Sequence, residues 1–215
     1  MYNSLEMMTK EEIIRMVERN MRNNPNPMIA TEAGVRAVKK FVSLAKKNNV
    51  SFALVGGIAM HFYGGPRLTK DVDVIASAVL PVEAERQLGF GGERYRVPVG
   101  KLKVPLDWIV RKDDARVFYE KALESAYILP NGLPIITAEW LVILKYIAGR
   151  FKDQQDAVFL LKQKGLVDRK LIRRLITKTL GPTGWAAFAN GLKRWYDLAD
   201  GKITTEKEDY EADRL

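Results

Sequence analysis

Asp71 and Asp73 stand one residue apart in DVDVI, a run that otherwise alternates polar and apolar residues as a strand does. On a strand both carboxylates share one face, and Val72 and Val74 take the other. Like charges held a few ångströms apart are costly unless a proton or a cation lies between them. A hard cation such as Mg2+, with Mn2+ as its substitute, takes oxygen-only ligands and keeps positions open for phosphate oxygens. Asp107 is a third acid, on a separate predicted strand. With the two strands side by side, three carboxylates converge and can hold two metals, which clamp the attacking and leaving oxygens of a phosphoryl displacement. Gly56-Gly57 falls where a short apolar run, Ser51 to Val55, gives way to a helical one. Small residues there let backbone N–H groups approach a phosphate. Arg67 and Thr69 come just before the aspartates, within reach of the same phosphates.

These residues need elements to position them. TKEEIIRMVERNMR, 9 to 22, reads as an amphipathic helix with Thr9 as its N-cap and Glu12 completing a capping box. NNPNP, 23 to 27, cannot continue it. Thr31 to Asn48 is a second helix with an apolar stripe through Val35, Val38, Phe41, Val42 and Ala45. Strands are expected at 51 to 55, 71 to 75, 94 to 99 and 101 to 110, the last two around a turn at Gly100, with a further short strand at 135 to 136. Pro105 within the run 101 to 110 points to an edge position or a strand start. Pro81 to Leu88 reads as a helix with proline in its first turn, Asp114 to Glu124 as another. Helices follow at 138 to 150, 153 to 164, 168 to 180 and 183 to 198, with Asp168 as an N-cap and Gly165 and Gly181 as stops. The fold class is therefore α+β: a small mixed β-sheet core with N-terminal helices and a C-terminal helical bundle. Its divisions are N-terminal helices at 1–48, the α/β core at 49–136, a helical region at 137–200 and an acidic, fraying tail at 201–215.

The absence of cysteine excludes disulfides, zinc–thiolate sites and a thiol nucleophile, and it fits a reducing cytoplasm. No apolar run reaches membrane-span length, since Trp140 to Ile147 is interrupted by Lys145, and MYNSLEMMTKEE has no signal-peptide pattern. The net charge of +9 is carried by the body of the chain, because Ile203 to Leu215 holds five acids against Lys207 and Arg214. A basic body suits a polyanionic partner, nucleotide or RNA. The basic run Arg169, Lys170, Arg173, Arg174, Lys178 falls near one helix side and reads by default as a solvated face, with RNA tracking as the sharper alternative. His61, the one histidine, has no second histidine or cysteine to share a metal and is expected to be structural.

Taken in order, strand, Gly-Gly, short helix and G-x-x-R-x-T-x-D-x-D, the stretch GGIAMHFYGGPRLTKDVDV resembles the nucleotidyltransferase superfamily of polymerase-beta-like fold. It looks most like the AbiEii-type branch, which includes toxins of bacterial toxin–antitoxin pairs. LKYIAGRFKDQQDAVFLL, 144 to 161, is similar to that branch's helical element, with Lys145 and, eight residues on, Asp153 at its lysine and aspartate positions. The resemblance covers residues 50 to 165. It implies a nucleotidyltransferase core in which Asp71 and Asp73 bind metal and Asp107 completes the site and takes a proton from an acceptor hydroxyl. Gly56 and Gly57 would cradle the triphosphate of an NTP, Lys145 would contact its phosphates, and Asp153 would orient that lysine or touch the base or ribose. Gly57 stands where many members have serine, Ile147 where some have an acid, and Arg150 lies beside the expected arginine position.

The activity this implies is Mg2+-dependent transfer of a nucleotidyl group from an NTP to an acceptor hydroxyl, on tRNA or another RNA, in a cytoplasmic protein that pairs with an antitoxin. The alternative is a non-catalytic module of the same fold that binds nucleotide, RNA or an antitoxin partner. A sugar transferase using Asp-x-Asp is disfavoured, since about 20 residues between Ser51 and Asp71 are too few for a nucleotide-binding half.

Overall fold

The computed structural model describes residues 7–23 and 29–204. Most of the expected 23–27 linker and the acidic residues after Thr204 lie outside the described residues. The chain divides into two compact units, Thr9–Leu141 and a second made of the chain from Val142 onward together with the residues before Thr9.

The first unit opens with α1 (Lys10–Asn23) and α2 (Thr31–Lys47). The capping box of α1 is reciprocal: the Thr9 N–H donates to Glu12 Oε2 at 2.7 Å, and the Glu12 N–H donates to Thr9 Oγ1 at 3.2 Å. Then follow β1 (Phe52–Val55), α3 (Gly56–Phe62), β2 (Val72–Ala76), β3 (Arg86–Gln87), β4 (Gly92–Val99), β5 (Leu102–Ile109), α4 (Arg116–Glu124), β6 (Tyr127–Ile128) and β7 (Pro134–Ile135). The strands form one mixed sheet in the order β3-β4-β5-β2-β1-β7-β6. β2 runs parallel to β5 and β1 parallel to β7, while the other neighbours are antiparallel. The architecture is α+β, as the element order implies.

Alternation sorts the central strands into two faces. Val72, Val74, Leu106 and Trp108 are fully buried and form the core face. Phe41 of α2 packs its ring 6.0 Å from that of Trp108 and 5.0 Å from that of Tyr95. α2 approaches so closely at Gly34 that a Cβ there would lie 3.0 Å from Ile58 Cδ1 and 3.1 Å from Val72 Cγ2. His61 of α3 is buried and donates from Nε2 to Arg67 O at 2.7 Å, which leaves Nδ1 to accept from Thr31 Oγ1 at 3.1 Å. It is a structural histidine, tying α3 to α2 and to the segment that leads into β2.

Two expectations are corrected, and one further strand appears. Pro81 to Leu88 is not a helix; its second half runs along the sheet edge, with the Glu85 N–H bonded to Arg94 O and the Leu88 N–H to Gly92 O. The edge of β4 offers residues 85 to 88 a short ladder, which overrides a helix propensity of less than ~1 kcal/mol per residue. β5, with Pro105 as its fourth residue, is an interior strand, so the proline marks neither an edge nor a strand start. The proline is tolerated because pairing with β2 begins only at Leu106, so its missing N–H falls before that ladder. β6, which the sequence does not announce, pairs with β7 through only Tyr127↔Ile135 and Ile128↔Pro134.

α5 (Ala138–Ala148) begins in the first unit and ends in the second. The second unit continues with α6 (Phe151–Lys162) and α7 (Arg169–Ala199). Asp168 caps α7 by accepting from the Lys170 N–H at 2.8 Å. α7 is two helical segments joined at Gly181, whose φ of 76° and ψ of 178° are outside the helical region, with Pro182 opening the second.

Candidate active site

The register of three neighbouring strands builds a row of charges. Asp73 of β2 lies beside Asp107 of β5, and Asp107 lies opposite Arg94 of β4. Cross-strand partners project to the same face, here the one opposite Val74 and Trp108. Asp71, just before β2, shares that face. Arg94 binds this group together: its Nε donates to Asp107 Oδ1 at 2.5 Å, and its Nη2 donates to Asp107 Oδ2 at 2.7 Å and to Asp71 Oδ2 at 3.0 Å. The Arg94 and Asp107 side chains are 19% and 9% exposed, and that of Asp71 is 33% exposed, so the row opens to solvent on the Asp71 side. Hydrogen bonds to Asp107, against the opposing effect of burial, hold the Arg94 guanidinium above even its ordinary high range.

The glycine pair fits around the carboxylates. Gly56 ends β1 at φ 64°, and a Cβ there would lie 1.9 Å from Asp73 Oδ2. A Cβ on Gly57 would lie 2.4 Å from Thr69 Oγ1. Glycine is thus required at 56 by both conformation and space, and at 57 by space. Thr69 is buried; its hydroxyl donates to Asp71 O at 3.0 Å and lies 3.4 Å from Asp71 Oδ1. Arg67 is half-buried, and its Nη1 donates to Leu68 O at 3.1 Å. Asp71, Asp73, Asp107, Gly56, Gly57 and Thr69 therefore form one neighbourhood.

Lys145 and Asp153 belong to the second unit and form a cluster of their own. The Lys145 Nζ donates to Asp153 Oδ1 at 3.0 Å and to Asp156 Oδ2 at 2.6 Å, with all three side chains buried. Arg150, the residue preceding α6, adds Nε to Asp153 Oδ2 at 2.5 Å and Nη2 to Asp153 Oδ1 at 3.2 Å. Burial alone would raise the Asp153 pKa, but the hydrogen bonds and charges of Arg150 and Lys145 outweigh it and hold the group below its ordinary 3.8. Much of the basic run on α7 is likewise engaged within this unit. Arg169 binds Asp200 at 2.6 and 3.0 Å and pulls its carboxyl down to about 2, against the effect of burial and helped by Lys202. Arg174 lies 3.4 Å from Asp168, and Arg173 lies over the Trp185 ring at 5.6 Å.

By donor chemistry the three carboxylates suit a hard divalent cation. As arranged here they do not present a site for one: Arg94 stands on Asp71 and Asp107, and no three acidic or histidine groups among the described residues are grouped to hold a metal. Arg94 is the site residue that sequence reasoning missed. A signal existed, since a turn that places Val99 opposite Leu102 also places Arg94 opposite Asp107. Asp156 was missed as well, and only its spacing from Asp153 by one helical turn hinted at it.

No family model matches the chain, and no curated protein matches it in sequence. Among solved structures it is similar to an antigenic nucleotidyltransferase-like protein from Paracoccidioides brasiliensis, at 16% identity and a TM-score of 0.45, over 90% of this chain and 93% of that one. It is also similar to the antibiotic-resistance factor ANT(2'')-Ia in solution, at 14% identity and a TM-score of 0.35, over 81% of this chain and 98% of that one.

Proposed function

We propose that the protein is a nucleotidyltransferase that joins the α-phosphoryl group of an NTP to an acceptor hydroxyl. The hydroxyl oxygen attacks the α-phosphorus, the bond to the β-phosphate oxygen breaks, pyrophosphate leaves, and the hydroxyl proton passes to a carboxylate, for which Asp107 is the candidate. The observation that carries this reading is the register of Asp73 beside Asp107, with Asp71 joined to Asp107 through Arg94 and the Gly56 turn closed against Asp73. Such chemistry is mostly positioning and charge neutralisation at phosphorus. Mg2+ or Mn2+ belongs to the proposal as the cation these oxygens suit, once Arg94 has moved off them. Gly56, Gly57, Arg67 and Thr69 are proposed to face the phosphates; Lys145 and Asp153 are proposed as nucleotide contacts on the strength of the sequence resemblance alone. RNA, tRNA first, is the proposed acceptor, on the strength of the +9 charge. The toxin role rests on the sequence resemblance alone.

The test is incubation of the full chain with labelled NTPs and total RNA. Asp71→Ala and Asp73→Ala are each expected to abolish labelling, and labelling that survives both would sink the mechanism. One observation favours the second reading, a nucleotide- or RNA-binding module without turnover. Arg94 relieves the repulsion among the carboxylates, so their retention does not by itself require catalysis. Nucleotide binding in calorimetry with no product would establish that reading.

A further inference from the structure

Beyond Asp107 the same face of the sheet continues along the β4–β5 hairpin. On β4, residues 94, 96 and 98 share the face of Asp107, and on β5 residues 103 and 105 do. Arg86 of β3 joins them, since it pairs with Arg94. The other face of the hairpin is closed: Tyr95, Val97, Val104 and Leu106 are buried, and the Phe41 ring of α2 packs 5.0 Å from that of Tyr95. The Asp107 face is open, with Arg86, Arg96, Pro98 and Lys103 exposed, and Lys101 exposed in the turn.

The charges on this open face are placed at a cost. Arg86 stands directly opposite Arg94, and like charges in that relation repel. The Arg94 guanidinium already takes up Asp71 and Asp107. Arg96 lies opposite Pro105 and Lys103 opposite Pro98, so the ladder sets no acid against either. Glu85 binds Arg96 at 2.8 and 2.9 Å, and the face keeps a positive excess from Arg86, Lys101 and Lys103. An anion laid along it would relieve that repulsion. The apolar residues here are Pro98 and Pro105; the exposed Leu102 pairs with Val99 and belongs to the other face. A protein partner needs aromatic or aliphatic anchors at the centre of its contact, whereas a phosphodiester strand needs the cations.

We propose that this face, from Arg86 and the carboxylate row to Lys101 in the turn, is the surface along which single-stranded RNA lies, held by its phosphates. This rests on the reading of the carboxylate row as the reacting group and of RNA as the acceptor. Lys103 lies four residues before Asp107, about 13 Å at ~3.3 Å per residue of strand. A strand end brought to the row therefore has further phosphates within reach of Lys103 and Lys101. Contacts of this kind position the strand without reading its bases.

The test is filter binding of single-stranded RNA oligonucleotides of unrelated sequence to the full chain across a salt series. The triple variant Arg86→Gln, Lys101→Gln, Lys103→Gln is expected to bind each RNA roughly tenfold more weakly or worse, with the slope of log affinity against log salt shallower by roughly 2. The control removes the same charge from the exposed face of α2, across the sheet, as Lys39→Gln, Lys46→Gln, Lys47→Gln, and should bind nearly as the unaltered chain does. Unchanged affinity and slope in the folded hairpin variant, or equal loss in both triples, overturns the proposal, as does failure of the unaltered chain to bind RNA. Should the hairpin triple fail to fold, Lys101→Gln with Lys103→Gln is read by the same criteria. Full RNA binding by the hairpin variant with binding to polyglutamate lost would assign the face to an acidic protein and also overturn it. Absence of NTP turnover would overturn the transferase reading and leave the RNA-binding result standing; RNA binding unchanged by the hairpin substitutions would overturn this proposal and leave turnover standing.

Discussion

Gly56 has two requirements that no other residue meets. Its φ of 64° disfavours any side chain, and Asp73 Oδ2 fills the place of a Cβ. Gly56→Ala is therefore expected to cost about 1–3 kcal/mol of stability, measured by urea unfolding. It should also reduce the proposed nucleotidyl transfer by more than the unfolded fraction explains, because Asp73 must move. At Lys145 the logic is that of a buried ion pair. Lys145→Met leaves Asp156 and Asp153 with less compensation in a buried place and is expected to cost roughly 3–5 kcal/mol. The pH dependence has a definite sign. Asp153 is held below its ordinary 3.8, so its contribution to stability is fully present above that value and fades as pH falls through the folded pKa. Acid unfolding of Asp153→Asn should lack that component, and the midpoint of an acid titration followed by circular dichroism measures it. Asp71, Asp73, Asp107 and the glycines were legible because strand alternation and the strand–turn–helix order speak directly from the sequence. Arg94 was not, because its importance lies in the hairpin register and in no local pattern of its own.

Among the elements, the β4–β5 hairpin and the parallel β2–β5 pair make the row. Trp108 anchors both from the core side, with no exposed surface and its Nε1 bonded to Ala78 O at 2.8 Å. Trp108→Ala is expected to destabilise by about 3–5 kcal/mol, read as a shift in urea midpoint. The same periodicities that reveal α1, α2 and β2 misread residues 81 to 88, because an edge ladder is a tertiary offer invisible to a local window. Pro105 misleads for a related reason: whether its missing N–H matters depends on where the neighbouring strand begins to pair, and β2 begins at Leu106. The helices of the second unit were readable from their punctuation, Gly165 and Asp168 before α7 and Gly181 within it.

At the scale of the molecule, charge bears on the proposed encounter with an RNA acceptor. Under that proposal a net +9 predicts RNA binding that weakens as salt rises, with log affinity falling linearly against log salt at about −0.7 per phosphate contact for a single strand. Filter binding between low and physiological salt checks this, and a flat response would remove RNA as the acceptor. No helix among the described residues is long and apolar enough to cross a membrane. The order in which the sheet comes together also bears on the site. The β4–β5 hairpin closes through a local turn at Gly100, whereas β2 reaches β5 only by a parallel, non-local pairing. Local contacts form early and distant ones late. On that order we predict that Asp107 meets Asp73 already partnered by Arg94, with repulsion between the incoming strands damped during folding. Arg94→Met should then slow folding more than it speeds unfolding in stopped-flow measurements, making Arg94 an assembly aid as much as an occupant of the finished site.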